Sequence, residues 1–255
     1  MNELASTTKS LHEGVWAIAH EFGHVNQISP GLKWVSTTEV TNNVYSVCAR
    51  YKFFRENMVL EQNKCNDGND NHVIGGRFNS YLNYGIIRGE QWLCQKGQDN
   101  MDPSSYPNGG DHFVKLCPLW QLLLYYREII GGDKRDWYGD VAEIVRTTDQ
   151  TGMTNGQLQL AFMRNTMDVL KVDLTDFFIK AGMLKPIDKE LDDYARGWMT
   201  ITKEECDELV NYAAKYPKPE TPVLYYLSAN CENAFKNKLS VEGVYNEGIQ
   251  IKNEW

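Results

Sequence analysis

A chain of 255 residues is long enough for one large domain or two modest ones with ample core. Its 42% hydrophobic and 24% charged residues are ordinary for a soluble globular protein and exclude a disordered one. A formal net charge of -8 offers no basic field to gather nucleic acid, and the longest apolar runs, such as Leu122-Leu123-Leu124-Tyr125-Tyr126, fall far short of a membrane span.

In chain order, Met1 to Ser10 are polar and hold no signal-peptide pattern. The other end stops at Trp255 straight after a strand-like alternation, so we expect a piece of a longer secreted or cell-surface chain. From about Leu11 to Gln27 the apolar residues keep a helical period: Leu11, Val15, Ile18, Phe22 and Val25 fall in one stripe, read as a back packed on the core. A second helix is expected from Thr37 towards Phe54. Residues 63–76 and 97–110 read as loops, and 78–96 stay ambiguous because Gly85 and Gly89 weaken a helix. Phe113 to Ile130 is a strongly apolar helix ending at Gly131-Gly132. Helices follow at Trp137–Arg146, Asn155–Leu170 and Leu174–Lys180, and the capping-box spacing of Thr202 and Glu205 opens another to about Lys215. A proline-rich break at 216–222 then precedes strand-like alternation at Val223–Ser228 and Gly243–Lys252. The class is therefore mainly α, with a small C-terminal β element. The six cysteines form no C-x-x-C pair, so neither a zinc knuckle nor a thioredoxin-type site is expected.

The chemistry lies in Ala19-His20-Glu21-Phe22-Gly23-His24. Two histidines four apart on a helix point the same way and can share one metal, and the glutamate between them can act as general base. His20 and His24 lie roughly opposite the apolar stripe, on a face shared with Trp16 and Gln27, while Ala17, Ala19 and Gly23 let other elements approach closely. A third ligand is needed. The position six residues after His24 is Pro30, which excludes the three-histidine metzincin pattern. The next acidic residue is Glu39, which an antiparallel second helix would present to the metal. The competing role for Glu39 is local, because Ser36-Thr37-Thr38-Glu39 also has capping-box spacing.

Those residues, extended to His20-Glu21-Phe22-Gly23-His24-Val25-Asn26-Gln27 and Glu39-Val40-Thr41-Asn42-Asn43-Val44-Tyr45-Ser46, resemble the enhancin-like, mucin-degrading zinc peptidases, the M60 family. Leu116-Cys117-Pro118-Leu119-Trp120-Gln121-Leu122 and Asp173-Leu174-Thr175-Asp176-Phe177-Phe178 resemble two further segments of that family, so the similarity spans about Leu11 to Pro186. The resemblance implies that the helical domain, which the proline-rich break bounds at 1–216, is a zincin-like, gluzincin-type subdomain lacking the β-rich half that precedes it in the family. The same break leaves 217–255 as a small β element or the start of a following domain. It implies one zinc per chain on His20, His24 and Glu39, with Glu21 as base. By analogy with other gluzincins, Asn43 would orient His20, the alternative being a solvated side chain. The implied activity is hydrolysis of peptide bonds in glycoproteins, mucin-type O-glycosylated chains above all. A general zinc peptidase or aminopeptidase without a glycan requirement, and a non-catalytic glycan-binding module, are the competing classes. For the oxyanion, His112, Tyr84, Tyr106 and Arg77 have suitable chemistry. Trp120 and Trp92 are candidates for a sugar platform, although Trp120 on an apolar helix also suits the core.

Overall fold

The computed structural model describes residues 8–54, 60, 76–95, 109–192, 196–219, 227, 241–244 and 250–253. Nine α-helices carry this described part: α1 (Thr8–Asn26), α2 (Thr38–Thr41), α3 (Asn43–Phe54), α4 (Gly76–Tyr81), α5 (His112–Leu124), α6 (Trp137–Thr147), α7 (Asn155–Leu170), α8 (Thr175–Lys180) and α9 (Lys203–Ala213). Two antiparallel pairs complete it: β1 (Ile187–Asp192) with β2 (Arg196–Ile201), and β3 (Val241–Val244) with β4 (Gln250–Asn253). The fold is thus mainly helical with small two-stranded sheets.

The core forms around α5, which is buried from Val114 to Leu124 because it is apolar on every side. Asp111 starts this helix by accepting the Phe113 and Val114 backbone N–H groups at 2.9 Å. A π-helical stretch, Tyr125–Ile130, prolongs it, and Gly131 ends it at φ 68°, a conformation that costs glycine nothing. Trp34 anchors the segment between α1 and α2 in this core, where its ring meets Phe162 of α7 at 5.7 Å and its Nε1 donates to Gln159 Oε1 at 3.2 Å. The capping box expected of Thr202 and Glu205 is made, and Thr154 with Gln157 forms a second one ahead of the helix expected from Asn155.

Several sequence expectations need correction. The hairpin β1–β2 lies between the helices expected at Leu174–Lys180 and from Thr202, in a stretch for which no element was expected. Its outer residues alternate too weakly to announce a strand, yet it packs on α7, whose Gly156 would meet the Thr200 carbonyl if it carried a Cβ. The alternation at 243–252 is not one strand but the ends of two, β3 and β4, in register Gly243 to Ile251. The second helix is interrupted: α2 and α3 meet at Asn42, whose φ and ψ of -64° and -39° stay helical while the hydrogen-bond ladder breaks. The apolar stripe of α1 is not a buried back. Ile18, Phe22 and Val25 are 58, 62 and 81% exposed, and it is the opposite face, with Gly23 and Gln27, that packs against α3. The loops expected at 63–76 and 97–110 fall largely outside the described residues, as do Tyr106, Cys65, Cys231 and most of 223–228.

Candidate metal centre

The site begins with a close approach. Gly23 sits where α1 meets the α2–α3 junction, so tightly that a Cβ would lie 2.3 Å from the Asn42 carbonyl oxygen. With no side chain in the way, His20 and His24, one turn apart, face α2 across that contact. Their rings stand edge to face with centroids 4.8 Å apart. The Glu39 carboxylate lies between them, Oε2 at 3.2 Å from His20 Nε2 and Oε1 at 3.3 Å from His24 Nε2. These three residues are the one His/Cys/Asp/Glu group among the described residues that could hold a metal ion.

The spacing fits zinc. Ligands about 2.0–2.1 Å from a tetrahedral ion stand about 3.3 Å from one another, the separation seen along both His–Glu edges. All three residues are half-buried, which leaves the approach from solvent open. Asn43 fixes the first histidine. Its Nδ2 donates to the Glu39 backbone oxygen at 2.8 Å, so its Oδ1 must be the atom 3.0 Å from His20 Nδ1. A proton on Nδ1 donated to that oxygen leaves the Nε2 lone pair facing Glu39. Asn42 is fully buried against these three residues, its Nδ2 3.2 Å from His20 Nδ1, 3.1 Å from His24 Nε2 and 3.5 Å from Glu39 Oε2. Glu21, next to His20 in α1, is exposed.

The capping box open to Ser36 and Glu39 is not made. Thr37 is the N-cap of α2 and has no side-chain cap bond, while Ser36 is buried in the left-handed region at φ 68°. Lys115, fully buried on α5, donates to Ser36 O at 2.6 Å and Ser36 Oγ at 2.9 Å. Nothing in sequence links those two positions.

The remaining candidates separate. Trp120 is no surface platform: it is 2% exposed, with its ring against Tyr51 at 5.2 Å, and Trp92 is fully buried with Nε1 donating to Lys115 O at 2.8 Å. An indole enclosed on both faces has no room for a sugar ring. Arg77 is buried, paired with Asp111 at 3.4 Å and lying 4.7 Å over the Phe113 ring. His112 opens α5 beside Phe113, whose ring packs at 5.8 Å on Trp16, one turn before His20. Arg77 and His112 therefore belong to the cluster flanking α1. Tyr84 lies under Arg88, 4.7 Å from ring to guanidinium. Sequence reading missed Asn42 and Lys115. It placed Gln27 on the histidine face.

The sequence profile of the peptidase M60 family, enhancin and enhancin-like, matches residues 1–182. The chain belongs to that family. Among curated proteins, none matches the sequence. Solved structures share the M60 fold. A metallopeptidase from Bacteroides thetaiotaomicron is similar at 22% identity and a TM-score of 0.63, over 86% of this chain and 33% of its own. A metallopeptidase in complex with Tn antigen is similar at 20% identity and 0.66, over 92% and 43%. The M60 catalytic domain of ZmpB from Clostridium perfringens, solved with two CBM32 domains, is similar at 21% and 0.51, over 86% and 17%. The chain thus spans less than half the length of each. M60 enzymes are metal-dependent peptidases. No helix among the described residues is long and apolar enough to cross a membrane.

Proposed function

We propose that this chain is the zinc-binding catalytic part of an endopeptidase that hydrolyses peptide bonds in glycoproteins, mucin-type O-glycosylated chains above all. The observation that carries the reading is the convergence of His20, His24 and Glu39 at tetrahedral spacing, with the exposed Glu21 next to His20 in the chain. These three residues would hold one zinc ion, which supplies a Lewis acid for the scissile carbonyl and acidifies water. Asn43 keeps the His20 tautomer fixed. Glu21 takes the proton of the attacking water at its carboxylate and returns it to the nitrogen of the leaving amine, so one residue serves as base and then as acid. A fold neighbour solved with Tn antigen supports a glycosylated substrate. The setting is a longer secreted or cell-surface protein.

The test uses the protein that contains this chain. It should cleave a mucin-type glycopeptide and spare the same peptide after enzymatic removal of its O-glycans. Glu21→Gln should keep the metal and lose at least ~10²-fold in turnover. Equal cleavage of both peptides would support a general peptidase, and undiminished turnover by the Gln variant would overturn the mechanism.

A further inference from the structure

Glu39 sits on a helix of four residues, too short to hold its own position through internal hydrogen bonds. What fixes its carboxylate against the histidines comes from the end of α1. Gln27, the first residue past that helix, continues the spacing of His20 and His24 at i, i+4 and i+7 and is only 6% exposed. Its Nε2 donates to the Thr37 oxygen at 3.3 Å, to the Thr38 oxygen at 3.0 Å and to Thr41 Oγ1. Two of these partners are carbonyls, which only accept, so chemistry fixes which end of the amide faces them. The three acceptors flank Glu39 on both sides, and the Thr41 hydroxyl in turn donates to Leu32 O. One side chain therefore ties both ends of α2 to the helix that bears the histidines.

We propose that Gln27 is a positioning residue of the metal centre, setting through α2 the distance of the Glu39 carboxylate from His20 and His24. The proposal rests on the reading of those three residues as ligands. Gln27 bonds no ligand atom, so it acts only through the placement of α2. Ligand sets work when held to within about 0.5 Å, and the loss of a donor that serves three acceptors at once gives α2 that freedom.

Two variants test this. Gln27→Met keeps the length and removes the donors; Gln27→Glu keeps the shape and turns an acceptor towards two carbonyls. Zinc affinity is read by competition with a chromophoric chelator, site geometry by the visible spectrum of the cobalt(II)-loaded protein, and folding by melting of the metal-free protein. Both variants should bind zinc at least ~10-fold more weakly than wild type, with altered cobalt bands. A lowered melting temperature with unchanged affinity and spectrum would overturn the proposal and leave Gln27 a plain structural residue. If wild type itself binds no zinc, the ligand assignment falls and the proposal falls with it. Should neither variant fold, hydrogen exchange on wild type decides. The Val40 and Thr41 amides should be protected without metal, and zinc should add less than about 10-fold. Protection that arises only with zinc would mean that the metal places α2, and would overturn the proposal.

Discussion

At position 39 a carboxylate and an amide have the same shape and differ by one charge, which separates the two roles open to Glu39. The cap is unmade in the structure, and both carboxylate oxygens face imidazole nitrogens instead. Glu39→Gln should therefore leave melting of the metal-free protein close to wild type. It should lower zinc affinity at least ~10-fold, because a neutral amide is a poorer ligand and the site loses its negative charge. Calorimetric titration checks this, and equal affinity would send the search for a third ligand elsewhere. At this scale the sequence was informative where chemistry is written in spacing, as in His20-x-x-x-His24. It was silent where a residue's role is set by a distant partner. Ser36 looked like a cap and is instead held by an amine 79 positions away. Trp120, a weak candidate for a sugar platform on a helix that favoured the core, is indeed packed inside.

Helix ends were legible where their signals are local: the capping box expected of Thr202 and Glu205 is made, and the helix expected from Asn155 starts there. Which face of α1 the chain covers was not. Amphipathic periodicity shows that a helix has two faces, but the covering partner is a tertiary fact, and here α3 takes the polar side. Gly23 makes that choice possible. Glycine to alanine in a helix gains about 1 kcal/mol in propensity. A methyl 2.3 Å from the Asn42 carbonyl oxygen meets backbone, which cannot turn aside, and such overpacking costs about 1–3 kcal/mol. The clash should win. Gly23→Ala is expected to lower the melting temperature and, by pushing α1 off α2, to weaken zinc binding; a stabilised variant with wild-type affinity would refute that packing.

For the whole molecule, the stretch after α9 is stitched back to the turn between α7 and α8. Asp173 N–H donates to Pro217 O at 2.8 Å, and Lys218 Nζ lies 3.0 Å from Asp173 and 2.9 Å from Asp176. Burial alone would raise the Asp173 carboxyl. Hydrogen bonds from Thr175 and Lys218 outweigh it and hold the group below the usual carboxylate value. A depressed folded pKa gives stability that is present above the unfolded value, about 3.9, and is lost as pH falls through the folded one. Asp173→Asn keeps an oxygen that accepts from Thr175 but loses the carboxylate charge facing Lys218, so it should be less stable than wild type near neutral pH by about 1 kcal/mol, with the gap closing below about pH 4. A gap independent of pH would show that the carboxylate charge is not what matters.

The proposed ligands are near neighbours in the chain, and even Asn43, which orients His20, is only 23 positions from it. Closing so short a loop costs little entropy, so the unfolded chain already holds every donor within reach of one cation. The contacts that shape the site come from far away, Lys115 to Ser36, Asn155 to Val35 and Tyr138 to Thr41, across 79, 120 and 97 positions. A metal that also binds the unfolded form stabilises the native state by less than its native affinity alone would give. Renaturation with excess zinc present from the start therefore rewards a chelated but unassembled chain, and the ion does the most good when it is added after the distant helices have docked.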